Sequence, residues 1–207
     1  LPVCTKRLLS YSCTVRLIYT ISSLWLYDLE KRIQASKAML KIAITGPEST
    51  GKTTLALALS KHFKVSFIPE FAREYLEKTK GKYSQEDLDF IAKGQLKSLD
   101  STENKIIICD TDFSVLEIWS QYKYKNVSEL INKLVSDNLF DLHILCSPDI
   151  PWEADILREN PNSREKLFQL YKESLERYNK NFIVVDGTNL NRLKKSLVAI
   201  DALKKLM

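Results

Sequence analysis

Histidine and paired cysteine are what this chain lacks most. Only His62 and His143 occur in 207 residues, and they stand far apart. The four cysteines, Cys4, Cys13, Cys109 and Cys146, form no C-x-x-C pair. Without clustered His and Cys ligands, no zinc site is expected. Cys109 and Cys146 fall inside apolar runs, where cysteine acts as a small hydrophobe, and the setting expected is a reducing cytoplasm. A membrane-length apolar run is missing as well. Residues 17–27 are apolar but are bounded by Arg16 and Asp28, far short of the roughly 20 residues a span needs. Arg16 also spoils the pattern of a secretory leader, so no stable membrane insertion is expected. A basic stripe is absent too. The net charge is +5, but residues 1–38 hold six Lys and Arg against two acidic residues, leaving the rest near neutral. Nucleic acid is therefore not an expected partner.

What is present fits one soluble domain. Hydrophobic content of 44% and charged content of 28% are ordinary for a globular protein, and the length suffices for a substantial core. The chain opens with leucine, and Met39 stands just before the first strand-like run. Residues 1–38 are expected to be an upstream extension or a poorly ordered arm, with an interfacial or partner-binding helix as the alternative. The domain is expected to span 39–207.

Residues 46–53 read Gly-Pro-Glu-Ser-Thr-Gly-Lys-Thr, the G-x-x-x-x-G-K-S/T spacing of a phosphate-binding loop. Leu40–Ile44 before it resembles a buried parallel strand, and Thr53–Leu59 after it has the composition of a helix. The spacing is a demand of phosphate chemistry. Gly46 and Gly51 let the backbone wrap around phosphate oxygens, Lys52 reaches the β- and γ-phosphates, and Thr53 offers its hydroxyl to Mg2+. The expected ATP-binding set is Gly46, Pro47, Glu48, Ser49, Thr50, Gly51, Lys52, Thr53 and Thr54.

From Met39 onward, short apolar runs alternate with helical patterns, which predicts an α/β fold with a five-stranded parallel sheet. The strand candidates are 40–45, 65–69, 105–110, 141–147 and 182–186. Ser84 with Asp87 three residues on approximates a capping box for a helix whose stripe is Leu88, Ile91, Ala92, Leu96 and Leu99. Gln95 interrupts that stripe and reads either as a satisfied core group or as a substrate contact. Between strands 4 and 5 lies a charged, lid-like insertion, Pro151 to about Lys180. A closing helix is expected from Asn191.

Five strands flanked by helices, with the phosphate loop after the first, describe a P-loop kinase fold. In that class an acid ending a buried strand holds Mg2+, and Ile106-Ile107-Ile108-Cys109-Asp110 supplies it, so Thr53 and Asp110 are the expected metal residues. A kinase also needs a carboxylate to orient the attacking hydroxyl and accept its proton. Glu70, after strand 2, and Asp112 both qualify. Arg158 and Arg164 lie where a closing segment could deliver them to the transferred phosphoryl group. Lys52, Glu70, Asp112, Arg158 and Arg164 are the catalytic candidates. Arg73 with Glu74 also reads as an exposed helix pair.

Four motifs in order, the loop at 46–53, Pro69-Glu70-Phe71-Ala72-Arg73-Glu74-Tyr75, Asp110-Thr111-Asp112-Phe113, and Pro151-Trp152-Glu153-Ala154-Asp155 with Leu157-Arg158, resemble the ribosylnicotinamide kinase domain of NadR-type proteins. The resemblance covers residues 39–207. It implies ATP- and Mg2+-dependent phosphorylation of nicotinamide riboside to the mononucleotide in NAD salvage, trapping riboside imported by a PnuC-type transporter. Full-length relatives add an adenylyltransferase domain and, in some, a helix-turn-helix; residues 1–38 are too short for either, so a stand-alone kinase is expected. The riboside ring is cationic, so its pocket should present aromatic faces and carboxylates. Phe71, Tyr75, Tyr83, Trp119 and Trp152 are stacking candidates, and the substrate-binding set is Glu70, Arg73, Tyr75, Gln95, Asp112 and Trp152. Another nucleoside or small-alcohol kinase, or an ATP-binding regulatory ATPase, is the alternative. Oligomeric state is left open.

Overall fold

The computed structural model describes residues 39–102, 104–155, 157–158 and 162–206. The expectation for residues 1–38 lies outside the described residues. Contacts divide the chain after Met39, and the unit described here is Leu40–Met207.

Five strands build one sheet: β1 Leu40–Thr45, β2 Phe67–Ile68, β3 Ile106–Asp110, β4 Leu142–Cys146 and β5 Phe182–Val185. Their spatial order is β2-β3-β1-β4-β5, and every pairing is parallel. The helices are α1 Lys52–Phe63, α2 Phe71–Lys78, α3 Gln85–Asp100, α4 Ser114–Trp119, α5 Glu129–Ser136, α6 Arg164–Arg177 and α7 Asn189–Lys204. A π-helical turn, Ser120–Tyr124, continues α4. Strands covered by helices on both faces are mostly apolar, and all five residues of β4 are buried, His143 included. Ile42, Ile44, Ile108 and Ile144 meet Leu55 and Leu59 of α1 in the core. Burial pushes the thiols of Cys109 and Cys146 up to about 12 and about 11, which keeps both neutral.

Local chemistry explains where elements begin and end. Ser84 accepts from the Asp87 N–H while the Asp87 carboxylate accepts from the Ser84 N–H, completing the capping box. β2 is shorter than the sequence suggests because Pro69 has no N–H to donate and the Val65 N–H is spent on Ser60 O at 3.0 Å, closing α1. α7 starts two residues before Asn191 because Thr188 caps it, accepting from Asn191 N.

The sheet order places the site. From β1 the chain moves to one side for β3 and β2 and to the other for β4 and β5, so the carboxyl end of β1 is a topological switch point. Asp110 sits opposite Ile44, and Leu145 opposite Thr45, the residue before Gly46.

Candidate functional site

The turn leaving β1 needs glycine at two places. Gly46 has φ 133°, and a side chain there would put Cβ 2.8 Å from the Cys146 carbonyl oxygen. Gly51, φ 75°, caps α1 in the left-handed region. Within the loop, Thr50 Oγ1 donates to Pro47 O at 2.7 Å. Lys52 Nζ donates to Gly46 O at 3.0 Å and Pro47 O at 2.8 Å, so the ammonium lies along the loop it serves.

Thr53 Oγ1 donates to Asp110 Oδ2 at 2.6 Å. The other oxygen, Asp110 Oδ1, is buried with no hydrogen-bond partner among the described residues. Burial raises the Asp110 carboxyl above its ordinary range, against the pull of Thr53 and Lys52. A desolvated carboxylate with a bare oxygen beside a hydroxyl fits a divalent cation. Among the described residues no group of three or more His, Cys, Asp or Glu forms a cage. A cation here would complete its shell with water and phosphate oxygens, as Mg2+ does.

A cavity of about 210 Å³ opens in front of the loop. Lys52 and Thr53 line it on the phosphate side, Glu70, Arg73 and Leu76 on a second, Val115 and Trp119 of α4 on a third, and Arg158 and Tyr171 close it. Glu70 is half-buried at the start of α2. Desolvation raises its carboxyl, with Lys52 opposing and Asp110 reinforcing the shift. Arg73 donates to Asp155 Oδ2 at 2.7 Å and lies 3.2 Å from Glu77, so its charge is shared with two acids.

The lid region rests on the loop through Ser49. Glu153 N donates to Ser49 Oγ at 2.8 Å. Arg158 Nη1 donates to Glu153 O at 2.5 Å and to Ser49 Oγ at 3.4 Å. Arg164 Nη1 donates to Ser49 O at 3.2 Å and Ile150 O at 2.9 Å. Both arginines thus approach the phosphate loop from the connection between β4 and β5.

Four expected substrate residues lie elsewhere. Asp112 does not reach the cleft: Thr111 has φ 89°, and the chain turns the next carboxylate inward. There it accepts from Thr45 Oγ1 at 2.8 Å and Ser114 Oγ at 2.5 Å, and His143 Nε2 lies 3.5 Å away. Its reading as a base is corrected to a buried tie between the ends of β1 and β3. Gln95 is a satisfied core group. It accepts from Phe71 N at 2.7 Å and donates to Pro69 O and Cys109 Sγ, fixing the turn that carries Glu70. Tyr75 donates to Asp87 at 2.6 Å and packs on Phe90, outside the cleft wall. Trp152 lies beneath the Arg164 guanidinium, 5.7 Å from ring centroid to Cζ, rather than in the cavity. Of the other aromatic candidates, Trp119 lines the cavity with Tyr83 at 5.9 Å behind it, and Phe71 packs against Phe90.

Two residues escaped the sequence reading. Tyr171 looks like core, one aromatic in the stripe of α6, yet it lines the cavity. Arg192 is 1% exposed and donates to Gly187 O at 3.0 Å, Thr50 O at 2.7 Å and Ser147 O at 3.0 Å, with Asp149 as its counter-ion. It pins the phosphate loop to the β4 and β5 exits. Its only sequence signal is the spacing Arg192-Ser196-Ile200, a buried face that begins with a charge.

Comparison with known proteins agrees with this geometry. A family model described as an AAA domain matches residues 41–192. The chain is 29% identical over 177 residues to the trifunctional NAD biosynthesis/regulator protein NadR of Escherichia coli (strain K12), a match covering 80% of this chain and 42% of that protein. The chain therefore spans less than half the length of that curated relative. A crystal structure of NadR protein in complex with NR superposes with a TM-score of 0.66 at 21% identity, covering 80% of this chain and 50% of that one. Deoxyadenosine kinase from M. mycoides shares the fold at a TM-score of 0.57 and 18% identity, covering 79% of this chain and 100% of that one.

Proposed function

The chain belongs to the AAA domain family, as a P-loop domain resembling NadR, and on that premise we propose that it phosphorylates nicotinamide riboside at the 5′-hydroxyl with Mg·ATP. The observation that carries this reading is the position of Glu70. It faces the phosphate loop across one cavity with Lys52, Thr53 and Arg158, the arrangement a small-alcohol kinase needs and a plain nucleotide sensor does not. The likeness to NadR, a protein also solved in complex with NR, supports the riboside as the acceptor proposed here.

The contacts support the following roles. Lys52 exchanges the Gly46 and Pro47 carbonyls for phosphate oxygens, since those neutral acceptors bind an ammonium more weakly than an anion does. Glu70 orients the acceptor hydroxyl and takes its proton; its raised carboxyl makes it a better base than an ordinary glutamate. Arg158 and Arg164, already seated on Ser49, meet the charge that spreads over the equatorial oxygens in transfer. Mg2+, which Thr53 and Asp110 would hold, neutralises the phosphate charge when bound. Trp119 offers an aromatic face to a cationic ring.

A second acceptor class, neutral nucleosides, is favoured by Arg73, a guanidinium in the acceptor half of the cavity. Asp155 and Glu77 offset that charge, which keeps the cationic riboside first. ADP release measured with and without added nucleoside tests the proposal. Turnover that depends on the nucleoside is the expected result, and equal ATP hydrolysis in its absence would point to the ATPase alternative. A cytoplasmic site of action is part of the same proposal; among the described residues no helix is long and apolar enough to cross a membrane.

A further inference from the structure

Tyr171 combines two properties that rarely occur together. Its residue is 3% exposed, so the ring is fixed by packing on the inner face of α6. No hydrogen bond joins its hydroxyl to a described residue, the hydroxyl is not one of the polar atoms sealed off without a partner, and the residue lines the cavity that holds Glu70 and Lys52. A buried phenol ordinarily finds a partner within the protein, because leaving its hydroxyl dry is unfavourable. Where the partner is missing and the group borders a cavity, the vacant bond is available to whatever enters.

The surroundings restrict what that partner is. Burial together with the negative charges of Asp112, Glu70 and Glu48 holds the phenol in its neutral form well above the ordinary tyrosine range, so it can donate. The same carboxylates disfavour an anion beside it, which argues against a phosphate of ATP. Val115 and Trp119 make the α4 side of the cavity mainly apolar, with no charged group. The group that suits this position is neutral, accepts a hydrogen bond, and can pass its own proton toward a carboxylate. A sugar hydroxyl does all three.

We propose that Tyr171 is a specificity residue, donating a hydrogen bond to a secondary hydroxyl of the acceptor's sugar and so selecting ribosides over deoxyribosides. This rests on the reading of the cavity as a nucleoside-kinase site. A site that satisfies a buried donor with a substrate hydroxyl rejects the analogue lacking it, because the donor is then left unpaired. The fixed ring adds to this, since a preorganised donor loses little freedom when the substrate binds.

The test is a cycle of enzyme and substrate changes on the full chain. kcat/KM is measured for the wild type and Tyr171→Phe with nicotinamide riboside and with its 2′-deoxy and 3′-deoxy forms. Tyr171→Phe is expected to lose about tenfold on the riboside and nothing further on whichever deoxy form lacks the contacted hydroxyl. KM for ATP and the melting temperature should stay unchanged, because the hydroxyl supports neither the loop nor the core. An equal loss on all three acceptors, no loss at all, or a wild type indifferent to both deoxy forms would overturn the proposal. If the wild type turns over another nucleoside instead, the assigned acceptor is wrong, while the same cycle on that nucleoside and its deoxy forms decides the role of Tyr171.

Discussion

Thr53 donates its hydroxyl to Asp110 across 2.6 Å, joining the first turn of α1 to the end of β3. The two residues are 57 apart in sequence, and their meeting follows from β1 and β3 being parallel neighbours with Asp110 opposite Ile44. The pair encloses a carboxylate whose remaining oxygen is buried and without a hydrogen-bond partner among the described residues. Such a group costs the fold stability, and on the proposed reading it is held for a cation. Asp110→Asn should therefore lower turnover by at least ~100-fold, the scale of losing a transition-state charge contact. The melting temperature should hold or rise, since the change removes a desolvated charge. Turnover against Mg2+ concentration, with a thermal melt, checks both halves.

Glu70 gives a pH prediction. Burial favours its neutral form, so its folded pKa lies above the ordinary carboxylate value. The ionised base is lost as pH falls through that raised pKa, so kcat/KM should decline on the acid side sooner than an unperturbed glutamate would allow. For stability the direction reverses: the proton is bound more tightly in the folded state, so this group's contribution becomes less favourable as pH rises from the ordinary value through the raised one. Glu70→Gln should flatten the acid limb and lower kcat by about 10²–10⁴-fold with the fold retained. A pH–rate profile of both proteins decides it.

Asp112 should behave in the opposite way. Asp112→Ala leaves the Thr45 and Ser114 hydroxyls without their buried acceptor, which should destabilise the domain by about 2 kcal/mol. The acid limb of the rate profile should remain. Denaturant unfolding measures the first effect, and the profile measures the second.

Arg192→Ala removes the donor to three backbone carbonyls and the partner of Asp149. A loss of about 2–3 kcal/mol is expected, the scale of leaving buried carbonyls without a charged donor, since Asp149 itself is partly exposed. KM for ATP should rise, because Thr50 of the phosphate loop loses its anchor. Lysine at 192 should recover only part of this, having no planar fork to span the same acceptors. Unfolding free energies and ATP titrations of the two variants provide the check.

The phosphate loop, the parallel sheet and Asp110 were legible in the sequence because each depends on local spacing: glycines at a turn, an apolar run, an acid at its end. The acceptor side was less so. Glu70 and Asp112 looked equivalent, both being acids just beyond strands. What separates them is the backbone of Thr111, whose positive φ has no signature in a threonine. Tyr75 and Trp152 have the right chemistry, but Asp87 and Arg164 engage them outside the cavity. Tyr171 and Arg192 sit in helical stripes, where periodicity reports only that a face is inward. Whether inward means core or cleft depends on what packs opposite, and that is a property of the whole sheet.

The central claim is the acceptor, and kcat/KM for nicotinamide riboside against thymidine and deoxycytidine on the same protein tests it most directly. The account predicts a preference of at least ~100-fold for the charged riboside, about 2.7 kcal/mol in transition-state binding. A protein that prefers either neutral deoxynucleoside in that comparison would contradict it.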